Sequence, residues 1–195
     1  MARYPNYNLV ISPYGGYAAD VFSKQWEARW ADRAGGYIHA MHKALWGGYE
    51  FRITGKDAQG NVTYVGGWQN NRRGEMHKNF RFVENIFEEL DAPGEWFHNT
   101  KSNILYYYPA AGVDLKSALV ECVRLKSLVE FNGATNVTLR GFIFRHAART
   151  FMEKYEPLFR SDWTIYRGGA IFFNHAEDCT IADCDFDHSG AMQSS

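Results

Sequence analysis

Cysteine is scarce: Cys122, Cys179 and Cys184 are the three in 195 residues. So few, in an odd number, cannot build a disulfide framework. No CxxC pair occurs, which excludes a zinc ribbon. Neither sign of charge dominates, because 21 Lys and Arg stand against 22 Asp and Glu for a net charge of −1. That balance argues against a nucleic-acid binder working by bulk electrostatics and against a polybasic membrane anchor. No run of 18 apolar residues exists, so no transmembrane helix is expected. The N-terminus lacks the basic region and apolar core of a signal peptide. Phosphate loops are missing too. The glycine pairs at 15–16, 35–36, 47–48 and 66–67 lack a strand–GxGxxG–helix setting. A GxSxG elbow is likewise absent. His39 and His42 fall in an expected strand, where a spacing of three puts them on opposite sides, so no shared zinc site is expected. No metal and no cofactor are expected.

Aromatic residues are abundant, at 16% of the chain: 14 Phe, 12 Tyr and 6 Trp. For any single ring, a place in a β-rich core is the plainer reading, because aromatics favour strands. The remainder suits flat ligands, sugars above all, since a ring face packs on the C–H face of a pyranose.

Residues 1–36 read as an irregular segment with one short helix from Ser23 to about Arg33. Ser23 caps it, Trp26 and Trp30 share a face, and Gly35-Gly36 ends it. Residues 37–113 read as a β-sandwich-like antiparallel meander. Its strands are expected at 37–42, 48–54, 61–65, 80–86, 95–98 and 104–108. Turns separate them at Asp57-Ala58-Gln59-Gly60, Gly66-Gly67 and Asp91-Ala92-Pro93-Gly94. A helical turn is expected at 87–90, with Glu88, Glu89 and Asp91 solvated. Trp96 reads as core.

Residues 114–195 carry an internal repeat. Residues 128–146 align with 170–188 at a constant offset of 42. Six positions are identical: Phe131/Phe173, Asn132/Asn174, Ala134/Ala176, Thr138/Thr180, Phe144/Phe186 and His146/His188. Apolar residues recur two apart, turn, and recur again, giving three very short strands per unit. Three strands per coil, with coil stacked on coil, is a parallel β-helix with equivalent residues about 4.8 Å apart. Residues 147–169 exceed what a coil needs and loop out. Cys179 and Cys184 read as small core residues.

Several motifs then combine. Ala2-Arg3-Tyr4-Pro5-Asn6, Glu84-Asn85-Ile86-Phe87-Glu88-Glu89-Leu90-Asp91-Ala92-Pro93-Gly94-Glu95-Trp96 and Leu105-Tyr106-Tyr107-Tyr108-Pro109, followed by the repeat, resemble bacterial right-handed parallel β-helix proteins related to glycoside hydrolases. They look most like the glycoside hydrolase family 141 group of fucosidases and xylanases. The resemblance implies an all-β fold, with a right-handed parallel β-helix preceded by a β-sandwich-like insertion. It also implies an oligo- or polysaccharide partner. That fold normally continues through many more coils. The chain is therefore expected to be a segment of a larger protein whose catalytic carboxylates lie on later coils. A secreted or periplasmic parent is compatible with this.

Glycoside hydrolysis needs two carboxyl groups flanking the scissile bond. Asp185 and Asp187 lie two apart in one strand, both outward, about 6.5–7 Å apart at Cα. They are the catalytic candidates. The 42-residue offset sets Asp187 beside Arg145 and His188 beside His146. An Arg–Asp rung is more often a structural ion pair than a catalytic pair. The long loop supplies Asp162, Trp163 and Tyr166, in which a ring platform beside a hydroxyl acceptor suits a sugar subsite. Trp46 adds an exposed ring. Arg145, His146, Asp162, Trp163, Tyr166, His188 and Trp46 are the substrate-binding candidates. Three functions remain: a hydrolase segment, a non-catalytic glycan-binding or structural module, and a polysaccharide lyase. The lyase would need a Ca²⁺ site from Asp183, Asp185 and Asp187, and the turn at Asp183 disfavours it.

Overall fold

The computed structural model describes residues 1–4, 27–45, 47–67, 74–150, 156, 157, 164, 165 and 168–189. The chain is all-β, with one short 3-10 turn among the described elements, and divides into two compact units, Met1–Ala118 and Leu119–Ser195. No described helix is long and apolar enough to cross a membrane.

The first unit is built on a five-stranded antiparallel sheet. Its strands are β1 (Arg3–Tyr4), β2 (Tyr37–His42), β3 (Gly48–Lys56), β4 (Val62–Gly66) and β5 (Met76–Glu84), in the order β1-β5-β2-β3-β4. β2 to β4 form the expected meander, but β5 returns to the free edge of β2. The spatial order is that of a Greek key. The return buries Val83 beside Ile38, its register partner. Alternation in β3 selects the core face: Tyr49, Phe51 and Ile53 are buried, while Arg52 and Thr54 are exposed. Each such side chain contributes roughly 1.5–3 kcal/mol on burial. Gly66 must be glycine, because a Cβ there would sit 2.4 Å from the Glu50 carbonyl oxygen.

The turn at Asp57–Gly60 forms as its chemistry dictates. The Asp57 carboxylate accepts the N–H of Gln59 (2.9 Å) and Asn61 (2.8 Å), and Gly60 takes φ +81°. The start of β5 at Met76 precedes the expected strand at 80–86, because Lys78 and Asn79 are exposed and give no alternation. The expected helix begins outside the described residues, Ser23 and Trp26 included. Within them, Trp30 N–H bonds to Glu27 O at 3.2 Å, and the ring is buried.

The acidic turn departs from expectation. In the 3-10 turn Phe87–Glu89, the apolar Phe87 is 46% exposed and Glu89 is fully buried. Glu89 accepts the Trp30 indole N–H at 2.6 Å, and Glu88 accepts the Ala31 N–H at 2.8 Å. The donors of a distant segment decide which side chains turn inward. Asn85, at φ +57°, then links β5 to a separate hairpin of β6 (Trp96–Asn99) and β7 (Ile104–Tyr107). It accepts the His98 N–H at 3.0 Å and donates to the His98 and Gly35 carbonyls at 3.3 Å. Trp96, expected in the core, is only half-buried.

The second unit holds two strand triplets. The first is β8 (Val129–Asn132), β9 (Thr138–Arg140) and β10 (Ile143–Arg145). Between them and the second triplet lie β11 (Glu156–Pro157) and β12 (Thr164–Ile165), an antiparallel pair. The second triplet is β13 (Ile171–Asn174), β14 (Thr180–Ala182) and β15 (Asp185–Asp187). β8 pairs in parallel with β13, β9 with β14 and β10 with β15, and the register partners are the residues that the repeat aligns. Like therefore stacks on like. Phe131 lies on Phe173 with ring centroids 4.6 Å apart, and Phe144 on Phe186 at 5.2 Å. Asn174 Nδ2 donates to Asn132 Oδ1 at 3.1 Å. Cys179 and Cys184 are free and half-buried.

Candidate functional site

The third ladder, β10 with β15, brings together most of the described candidates. Arg145 and Asp187 are register partners, and their side chains form an ion pair with Nε 2.8 Å from Oδ2. The chain then reverses into the left-handed region at both copies, with φ +61° at His146 and +47° at His188. That shared conformation sets the two imidazoles beside each other, with centroids 5.9 Å apart. His188 Nδ1 lies 2.5 Å from Asp187 Oδ1, so the Asp187 carboxylate is gripped on both oxygens. His146 Nε2 approaches Glu121 Oε2 to 3.4 Å, within ion-pair range but outside hydrogen-bond geometry.

The electrostatics follow from these contacts. Desolvation alone would push the Asp187 carboxyl up, but the His188 and Arg145 charges outweigh it and hold it below the usual carboxylate range. Asp187 is thus an anion at neutral pH. Asp185 has the same parity in β15, two residues away, and is exposed without a charged partner among the described residues. Phe186 between them turns to the opposite side and stacks on Phe144. Asp183, at φ +52°, lies with Oδ2 3.3 Å from Arg140 Nε. The three carboxylates therefore do not converge, and among the described residues no group of three or more His, Cys, Asp or Glu could hold a metal ion. Trp46, Asp162, Trp163 and Tyr166 lie outside the described residues.

A second titratable cluster, in the five-stranded sheet, escapes sequence reasoning. His39 Nε2 lies 2.9 Å from Glu84 Oε2, and both side chains are largely buried. The His39 ring stacks on Phe82 at 4.6 Å, and the Arg3 guanidinium lies 4.1 Å from the same Phe82 ring. Glu50 is the register partner of His39 on β3. Burial pushes the Glu50 carboxyl up, against the pull of His39. Alternation alone puts these residues on one face once the strand order is known. The missing information was that β5 returns beside β2. His42 has different neighbours: a bulge after Ala40 shifts the register, and its ring meets the edge of Tyr49 at 5.7 Å.

Against known proteins, the sequence matches no family model and no curated protein. Among solved structures, the chain is similar to one described as a glycoside hydrolase. The two share a TM-score of 0.62 at 16% sequence identity, over 93% of this chain and 38% of that chain. The likeness shows a shared all-β fold, with this chain spanning 38% of the other's length.

Proposed function

We propose that the chain is a glycan-binding portion of a carbohydrate-active protein. In this reading the two strand triplets are successive coils of a right-handed parallel β-helix of the family 141 type. Three parallel ladders at one constant offset support the coil assignment. The fold shared with a glycoside hydrolase supports the substrate class.

One observation favours binding over cleavage: both oxygens of Asp187 are engaged, by Arg145 at 2.8 Å and His188 at 2.5 Å. A carboxylate so held stays ionised and has no proton to give, whereas glycoside hydrolysis needs a general acid. Asp185 is exposed, with no charged partner among the described residues. Asp187 therefore positions Arg145, and Arg145, His146 and His188 offer donors to sugar hydroxyls along the ladder. The catalytic carboxylates of the parent protein lie elsewhere. A hydrolase centred on Asp185 and Asp187 is the second reading, favoured by their shared face.

The test is retention on insoluble xylan and on soluble oligosaccharides, with released reducing ends assayed in parallel. The expected result is binding without release, weakened about tenfold in Arg145→Ala by loss of the charged donors. Release of reducing ends that disappears in Asp185→Asn or Asp187→Asn would instead establish the hydrolase.

A further inference from the structure

The first unit contains a cleft that this reading does not use. It has a volume of about 220 Å³, and its lining includes the aromatic Phe87, Phe97 and Tyr106 and the charged Asp32, Glu88 and Lys101. The aromatic wall is exposed where a core ring would not be: Phe87 is 46% and Tyr106 38% accessible. Their centroids are 5.2 Å apart and their planes cross at 71°, an edge-to-face pair. Phe97 backs both, at 5.3 Å from Phe87 and 6.1 Å from Tyr106. The framework is fixed by Asn85, which ties the end of β5 to the hairpin by two hydrogen bonds with the His98 backbone and donates a third to the Gly35 carbonyl.

The polar wall is also built. Asp32 accepts the Ala34 N–H at 3.1 Å and pairs with Lys101 Nζ at 2.5 Å. That hydrogen bond to Lys101 holds the Asp32 carboxyl below the usual carboxylate range. Glu88 accepts the Ala31 N–H through Oε1, while its Oε2 is shielded from solvent with no hydrogen-bond partner. An acceptor left in that state is costly.

We propose that this cleft binds a single neutral pyranose ring of a glycan, stacked on Phe87 and Tyr106 and hydroxyl-bonded to Asp32, Lys101 and Glu88. Aromatic faces beside hydrogen-bonding groups of both kinds fit a sugar, which is apolar on its C–H face and polar at its rim. The size fits one ring, since the volume falls below the roughly 300–1,000 Å³ of drug-sized ligand pockets. The charge excludes acidic sugars. Asp32 and Lys101 cancel, leaving Glu88 as a net negative group against a uronate carboxylate. The site rests on the glycan-binding reading for its ligand class, but it lies in a different unit from the Arg145–Asp187 ladder and stands or falls separately.

The test is NMR titration of the ¹⁵N-labelled chain with methyl β-xyloside, methyl β-glucoside, methyl α-fucoside and methyl α-galacturonide. At least one of the three neutral glycosides should shift the Thr100 and Lys101 amides, with a dissociation constant on the order of millimolar for so small a ligand. Phe87→Ala and Tyr106→Ala should each weaken it about tenfold. Lys101→Met, which leaves the aromatic wall intact, should weaken it too, while Arg145→Ala should leave it unchanged. The proposal is overturned if no neutral glycoside shifts these amides, if the galacturonide binds equally well, or if Phe87→Ala has no effect. Shifts confined to the neighbourhood of Arg145 and His188 overturn this site and leave the ladder reading standing. Shifts at the cleft with a silent ladder do the reverse.

Discussion

The two units bury their apolar residues in different ways. In the first, a strand's alternate side chains meet those of neighbouring strands on one face of a sheet. Ile38, Phe51, Ile53 and Val83 are each at most 1% exposed. In the second, each residue stacks on its own counterpart one repeat later, and the two copies fare unequally. Phe131 and Phe144 are 5% and 7% exposed, while Phe173 and Phe186 are 41% and 53% exposed. A stacked architecture is close to one-dimensional, so a ring's burial depends on which neighbours lie along the stack. A sheet core distributes the same job over several strands.

This difference should be measurable. Phe51→Ala and Phe144→Ala each remove a buried ring and should cost about 3–5 kcal/mol. Phe186→Ala removes a ring half in water and should cost well under half as much. Denaturant unfolding with separate probes in the two units checks the ranking. Equal losses for Phe144→Ala and Phe186→Ala would erase the asymmetry between copies.

A smaller effect concerns charge within the sheet. Burial raises the Glu50 carboxyl, so the folded state holds its proton to higher pH than the unfolded state does. Stability therefore falls as pH rises from the unfolded value of about 4.3 through the raised folded one. Glu50→Gln should stabilise the protein at pH 7, with the gain fading as pH falls toward 4. Unfolding midpoints of both proteins across that range test the sign, and a gain that grows on acidification would refute it.

Where the same residue recurs at a fixed spacing, sequence reveals structure well. Stacked rings repeat their own kind, so the offset of 42 leaves Phe131/Phe173 and His146/His188 visible in the sequence and fixes the ladder register. The Arg145–Asp187 pair was legible for that reason. Strand β2 was legible to the residue through its aromatic and β-branched pattern. Glu89 was not, because a carboxylate reads as solvated until its indole donor, Trp30, is known to lie beside it, 59 positions earlier. The Phe87–Tyr106 cleft was hidden in the same way. Asp32, Glu88 and Lys101 are distant in sequence and meet only once the hairpin is tied to β5 by Asn85. The His39–Glu84 cluster needed the Greek-key return of β5, which no local pattern encodes.

The ladder reading depends on Asp187 being a fixed anion rather than a proton donor. Carbon-detected NMR titration of the Asp187 carboxyl, in the unmodified chain and in Arg145→Ala, measures this directly. The account predicts a midpoint below the ordinary aspartate value of about 3.9, moving upward when Arg145 is removed. A midpoint well above that value, or one indifferent to Arg145, would contradict it and return Asp187 to the role of a general acid.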